Sequence, residues 1–340
     1  MQTKHGLTWL VIAAAATVVM PASIVSAAGT SPFSTAVMPL PGLDMYSQFD
    51  KLDVDLDIAG LGCCVGYTNS AGGGWLLVQG GGTFLPGDAA SGPGAPLLGV
   101  VGDVNLSQQN RPGSGPAAAA MGTLYTTLGF RGQPNTGSAT AIYGGAWIRT
   151  NGLARTTDQV VLGQDQTAGS GVGTGLDNNS SNGSLGSWHL FSRDDDGAAG
   201  GSGKLSWQIG DGTNLVNFES SVNVSDTGYS FVAFSYNGNA ADPNALSLFV
   251  DGSPVPTVRS VTGSDAALSF GVGAYQLAVG NSFGYTDLWD GPIDEAFFGF
   301  GQLSPSDARN LYVASVPEPA SLVLVLLAVG GAIMIRRRAV

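Results

Sequence analysis

Residues 277–312 read LAVGNSFGYTDLWDGPIDEAFFGFGQLSPSDARNLY, and the fold is decided there. Residues 277–280 form a short apolar strand closed by Gly280. Residues 285–290 are an aromatic, acidic loop. Residues 291–300 are a second strand, with Asp294 and Glu295 set in an apolar run. Leu303-Ser304-Pro305-Ser306-Asp307 then opens a short helix to Leu311 and Tyr312. A buried closing strand needs partners, so the chain upstream must supply sheets.

It does. Residues 139–149 (ATAIYGGAWIR), 159–163, 188–192, 204–209, 231–236 and 245–250 are short apolar runs bounded by Gly, Asn or Asp. Strands at this spacing predict an all-β sandwich. Asp251-Gly252 is a turn at a strand end. Further upstream, residues 75–79 are another apolar strand between glycine clusters. Over residues 44–62, Leu52, Val54, Leu56 and Ile58 alternate with Lys51, Asp53, Asp55 and Asp57, the period of a half-buried strand. Asp-x-Asp-x-Asp also opens an EF-hand loop, but the expected glycine is missing and loop position 12 is Cys64, so the strand reading prevails. Residues 83–120 fit either sandwich strands with long loops or a loosely packed insert. Residues 31–42 are rich in proline and read as a leader.

The closing stretch resembles the last segment of laminin-G-like, or concanavalin-A-like, jelly-roll domains: Gly291-x-Ile293-Asp294-Glu295, apolar residues, then Leu303-Ser304 and a helical turn. KLSWQIGDG (204–212) resembles that family's central hairpin. GYSFVAFSYNG (228–238), followed by LSLFVDG, resembles its paired strands before the final segment. Where the family usually has a tryptophan and a histidine pair, this chain has Tyr229, Ser230 and Phe231. The resemblance implies a two-sheet antiparallel jelly-roll sandwich over 33–312, matched best over 139–312. It also implies carbohydrate as ligand class. In glucanase and lectin relatives the aspartate of the last strand often ligates a structural calcium, which here would be Asp294. Capping of neighbouring backbone N–H groups, or pairing with an arginine, is the alternative for that side chain.

The two ends are addresses. Lys4 and His5, an apolar run over 7–20 and the small residues around Ala27 and Ala28 make residues 1–28 a secretory signal peptide, a helix lost on export. At the other end, Pro317-Glu318-Pro319 is followed by the apolar run 322–335 and by Arg336, Arg337 and Arg338. That run is short for a bilayer crossing, which takes about 20 residues, and the arginines would stay on the cytoplasmic side. Tripeptide, short transmembrane helix and arginines in this order over 316–340 resemble the PEP-CTERM sorting signal of Gram-negative bacteria. The resemblance implies transient anchoring in the inner membrane, cleavage near the tripeptide by an exosortase, and release to the cell surface or extracellular matrix.

Composition narrows the function. The chain has 52 glycines and 11% charged residues. Removing Lys4, three arginines and Glu318 with the two signals takes 13 basic and 25 acidic residues to 9 and 24, a net charge of −15. Nucleic-acid binders are basic, so nucleic acid is excluded as a partner. Cys63 and Cys64 are adjacent and poorly placed to bridge each other. They are buried thiols or form an intermolecular bond. His189 is the one histidine left after export, too few for a zinc site, and no nucleophile elbow accompanies it. The Glu-x-Asp-x-x-Glu of jelly-roll glucanases is absent, and Asp294 and Glu295 should point to opposite faces of their strand. We therefore read no enzyme. Asp194-Asp195-Asp196-Gly197 is a hairpin tip or a calcium loop. Tyr285, Asp287 and Trp289 form a cluster able to stack on and bond a sugar, or to pack; Trp188 is a further candidate, whereas Trp147 and Trp207 belong to the core. The chain is thus expected to be an exported, non-enzymatic binding or matrix protein associated with carbohydrate or exopolysaccharide. A hydrolase with an unfamiliar site and a purely structural matrix protein are the rivals.

Overall fold

Ile142–Ile148 (IYGGAWI) is buried at all seven positions. A strand buried on both faces must be covered on both, and this one is. In the computed structural model, residues 31–48, 54–55, 66–68, 70–71, 75–79, 91–93, 106–110, 123–126, 141–149, 159–167, 187–192, 203–211, 214–224, 228–268, 274–280, 289 and 291–315 are described. Strands are numbered along the chain. The first sheet runs β15 (Ser253–Val255), β14 (Leu246–Val250), β13 (Ser230–Tyr236), β8 (Ile142–Ile148), β18 (Gly291–Phe300), β6 (Leu106–Asn110), β5 (Ser91–Pro93), with β1 (Leu43–Ser47) also on β18. The second runs β16 (Thr257–Thr262), β12 (Leu215–Asn223), β11 (Lys204–Gly210), β10 (Ser187–Ser192), β9 (Gln159–Thr167), β17 (Ala274–Val279), β7 (Thr123–Thr126), β4 (Trp75–Gln79), β3 (Gly66–Thr68), β2 (Val54–Asp55). Neighbours run antiparallel in both sheets.

The closing strand β18 is the hub. It pairs with β8 on one side, and with β6 and then β1 on the other. Residues 83–120 thus contribute sandwich strands, β5 and β6, on the outer side of β18. The expected strand over 44–62 survives in part, as β1 and β2; the rest of it lies outside the described residues, as do Cys63 and Cys64.

The sheets face each other across one apolar cluster. The first sheet contributes Ile142, Ile148, Val232, Phe234, Leu248, Ile293 and Phe298; the second contributes Leu162, Trp188, Leu190, Leu205, Trp207, Ile209 and Phe218. Trp188 stacks on Phe298 with centroids 5.4 Å apart. Gly144 lets the sheets close up: a Cβ there would sit 2.8 Å from Leu162 Cδ2.

A third layer covers the other face of the first sheet, and the sequence did not announce it. Residues 31–42 are no leader. They carry a helix, α1 (Pro32–Val37), with Ser31 as N-cap accepting from Ser34 N–H at 2.9 Å and proline at the helix start. Phe33 and Val37 are fully buried, in one cluster with Tyr46, Tyr143, Trp147, Phe231 and Phe297. The closing helix α2 (Pro305–Ser315) lies against α1 and adds Ala308 and Leu311 to that layer. This explains why β8, β13 and residues 293–299 are buried without alternation. No helix among the described residues is long and apolar enough to cross a membrane.

Candidate functional site

Two polar groupings interrupt these apolar layers. The first is at the sequence-predicted Asp294. In β18, Ile293 pairs with Ile148 and Asp294 with Trp147, and the register then slips by one before Phe297 pairs with Gly145. This is a β-bulge, with Glu295 as the extra residue at φ +52°. Period-2 logic fails at a bulge, so the expectation that Asp294 and Glu295 face opposite ways is wrong. Asp294 shares the face of its partner Trp147, in the helix-covered layer, and Glu295 reaches Tyr46 and Ser31 of that same layer.

Both carboxylates are buried, Asp294 at 0% and Glu295 at 3% exposure. Asp294 Oδ1 accepts the Glu295 backbone N–H at 2.9 Å. Glu295 Oε2 accepts the Tyr46 hydroxyl, and Oε1 accepts Ser31 Oγ–H at 3.3 Å; Gln48 donates to Ser31 Oγ at 3.3 Å. Burial, and then the neighbouring Glu295 charge, hold the Tyr46 hydroxyl well above its ordinary value of 10.0. It therefore stays a neutral donor. Calcium takes six to eight oxygens. The described residues hold no group of three or more His, Cys, Asp or Glu side chains able to take a metal.

The second grouping was not anticipated. Trp188, Leu190, Trp207, Ile209, Val216 and Phe218 point into the inter-sheet core. The residues between them, His189, Gln208 and Asn217, therefore point to the opposite face of the second sheet. Register aligns them: Gly163 pairs with His189, His189 with Gln208, Gln208 with Asn217, and Asn217 with Ser260. Three polar side chains thus stand side by side over roughly 10 Å, two strand spacings. They are buried, at 0%, 4% and 4% exposure. Gln208 Oε1 and Asn217 Oδ1 have no hydrogen-bond partner among the described residues. Gly163 makes room for the histidine, since a Cβ there would lie 2.3 Å from His189 Cδ2. The signal available in sequence was a lone polar residue at an inward-outward alternation in each strand; nothing local says that three of them share a row.

The aromatic candidates fare differently. Tyr285 and Asp287 lie outside the described residues, as do residues 194–197. Trp289 belongs to the inter-sheet core with 0% exposure. Its ring is packed between the two sheets and not on an outer face, so its part in a ligand cluster is withdrawn. Trp188 is likewise a core residue, its Nε1–H donating to Gln164 Oε1 at 3.0 Å. Trp147 and Trp207 are core residues as expected. His189 is a strand histidine, also as expected.

The last described residues, Ser315 and its helix, run directly into the C-terminal signal. Residues 315–338 match the PEP-CTERM protein-sorting motif. The chain carries a PEP-CTERM signal. Pro317, Glu318 and Pro319, with Arg336, Arg337 and Arg338, fall within the matched segment but outside the described residues. No curated protein matches the sequence. Solved structures with a related outline include domain 4 of AbnA, a GH43 extracellular arabinanase from Geobacillus stearothermophilus, in complex with arabinotriose. It is 14% identical, over 80% of this chain and 98% of that one, with a TM-score of 0.42. The Trypanosoma rangeli sialidase is 14% identical over 86% of this chain and 35% of that one, TM-score 0.43. The CBM40 of the Ruminococcus gnavus IT-sialidase, bound to alpha2,3 sialyllactose, is 13% identical over 52% and 83%, TM-score 0.33.

Proposed function

We propose that this chain is an exported, non-enzymatic protein of the jelly-roll, laminin-G-like type, sorted and cleaved by an exosortase and released to bind extracellular polysaccharide. The PEP-CTERM signal supports export and membrane-associated processing. The observation that carries binding is the polar row on the second sheet. Two buried amide oxygens without donors are costly, about 1–3 kcal/mol each. A hydroxyl-rich ligand supplies donors to the oxygens and acceptors to the amide N–H groups; with the row at 0–4% exposure, such a ligand reaches it by displacing what covers that face. Signal peptide, inner-membrane anchor and exosortase belong to the same reading.

The absence of enzymatic activity rests on where the two glutamates of the exported chain stand. Glu219, on β12, pairs with Lys204 at 3.0 Å on the second sheet. Glu295 is buried against α1 on the far side of the first. These two glutamates stand on separate sheets and do not flank one glycosidic bond, which supports the non-enzymatic reading. A structural calcium at Asp294 is kept as a proposal on one ground, the two carboxylates brought together at the bulge. It predicts that EDTA lowers the melting temperature of the wild type and hardly moves that of Asp294→Asn; equal loss in both proteins would place the metal elsewhere. The binding proposal is tested by a glycan array probed with the released protein. Retention of one class of polysaccharide is expected. Retention of none would leave a purely structural matrix protein.

A further inference from the structure

The folded body ends in a clamp. Ser315, the last residue of α2, is buried. Its Oγ accepts the indole N–H of Trp147 at 3.1 Å and donates to the Leu311 carbonyl at 2.9 Å. One turn earlier, the Tyr312 ring stacks on the same indole, with centroids 5.9 Å apart and planes 23° from parallel. Leu311 and Ala308 seat the helix in the apolar layer beside Phe33 and Val37. On the hairpin side, the Asp251-Gly252 turn packs under Tyr312, where a Cβ on Gly252 would lie 2.8 Å from Tyr312 Cβ. The final turn of α2 is therefore held from three directions.

The sorting tripeptide follows at once. Only Val316 separates Ser315 from Pro317. A peptide to be cut must be laid out extended through the protease cleft, with residues on both sides of the scissile bond. Here the residues on the amino-terminal side, Tyr312 to Ser315, are helical and partly buried. Seven residue steps lead from Ser315 to Leu322, the start of the apolar run, at most about 25 Å of chain. No slack exists with which to move the motif away from the body.

We infer that Trp147 is the positioning residue for processing: its grip on Ser315 and Tyr312 holds the amino-terminal side of the cleavage site in the fold, so that cleavage waits on release of the last turn of α2. The inference rests on the proposed exosortase processing for its biological setting, but the geometry governs any endopeptidase. In hydrolysis, water adds across the peptide C–N bond, leaving a carboxylate on the body and an amine on the departing signal. The clamp affects only access to that bond.

The test uses the full chain in detergent and a broad-specificity endopeptidase, with cuts between residues 313 and 321 timed by mass spectrometry. Ser315→Ala removes the hydrogen bond and is expected to raise the cutting rate about fivefold, the factor carried by one bond of ordinary strength. A ten-residue Gly/Ser insert after Ser315 supplies an extended substrate; it should be cut tenfold or more faster than wild type, at a rate indifferent to Ser315→Ala. Equal rates for wild type and Ser315→Ala, or no gain from the insert, overturn the inference. If Ser315→Ala speeds cutting in the insert variant as well, the effect is general destabilisation and the clamp is not the cause. Because no exosortase is present, a negative result here leaves the sorting route untouched. Failure of that route would be read instead from the mass of protein exported by cells.

Discussion

Gly163 lies beneath the His189 ring with no room for a methyl group. Gly163→Ala is predicted to cost about 1–3 kcal/mol, the usual penalty of overpacking, seen as a lower urea midpoint; an unchanged midpoint would mean that the ring is not held there. Tyr46 makes a pH prediction. Its folded-state value is raised above 10.0 by burial and by Glu295. A raised value means the neutral hydroxyl is favoured by folding, so its stabilisation is complete below pH 10 and is lost as pH climbs beyond it. Tyr143 and Tyr236 are shifted the same way, chiefly by burial. Stability should fall steeply above pH 10, and Tyr46→Phe should make that fall shallower in urea titrations at pH 8 to 11; an equal slope would remove Tyr46 from the account. At this scale the sequence was least informative. His189, Gln208 and Asn217 are 19 and 9 positions apart, and only strand register makes them neighbours. Asp294 and Glu295 were visible as acids in an apolar run, but the bulge that turns both toward α1 is set by pairing with β8.

Elements were legible in proportion to their apolar continuity. β8, β13 and β18 have one side against the inter-sheet core and the other beneath the helices, so their runs are mostly apolar and their bounds read nearly as found. The Asp251-Gly252 turn was equally plain, since both residues take positive φ, 49° and 72°, in the two-residue hairpin between Val250 and Ser253. β12 (LVNFESSVN) and β16 (TVRSVT) escaped because polar residues interrupt their apolar runs. α1 escaped because it is six residues long and is stabilised by what it covers rather than by its own periodicity. Its contribution is testable. Phe33 meets Tyr46, Phe231 and Phe297 at ring-centroid distances of 6.2, 5.9 and 6.1 Å. Phe33→Ala is predicted to cost about 3–5 kcal/mol in chemical denaturation. A loss below about 1 kcal/mol would return residues 31–42 to the status of a leader.

For the whole molecule, the first and last described helices pack against each other. Ser31 sits at the start of α1 and Ser315 at the end of α2, and the two helices pack side by side on the first sheet. The polar row lies on the opposite side of the sandwich, on the far face of the second sheet. Intact-mass measurement of extracellular protein should show both ends removed; a released species retaining Arg336, Arg337 and Arg338 would contradict the sorting route.

Titration calorimetry reads the role of the polar row. Released wild-type protein and a Gln208→Leu/Asn217→Leu double variant are titrated with the polysaccharide class retained on the array. Leucine keeps the volume and removes both amides, so the variant should fold as stably as wild type or more so. The account predicts binding by the wild type and an affinity lower by tenfold or more in the variant. Equal affinity in the two proteins would contradict it.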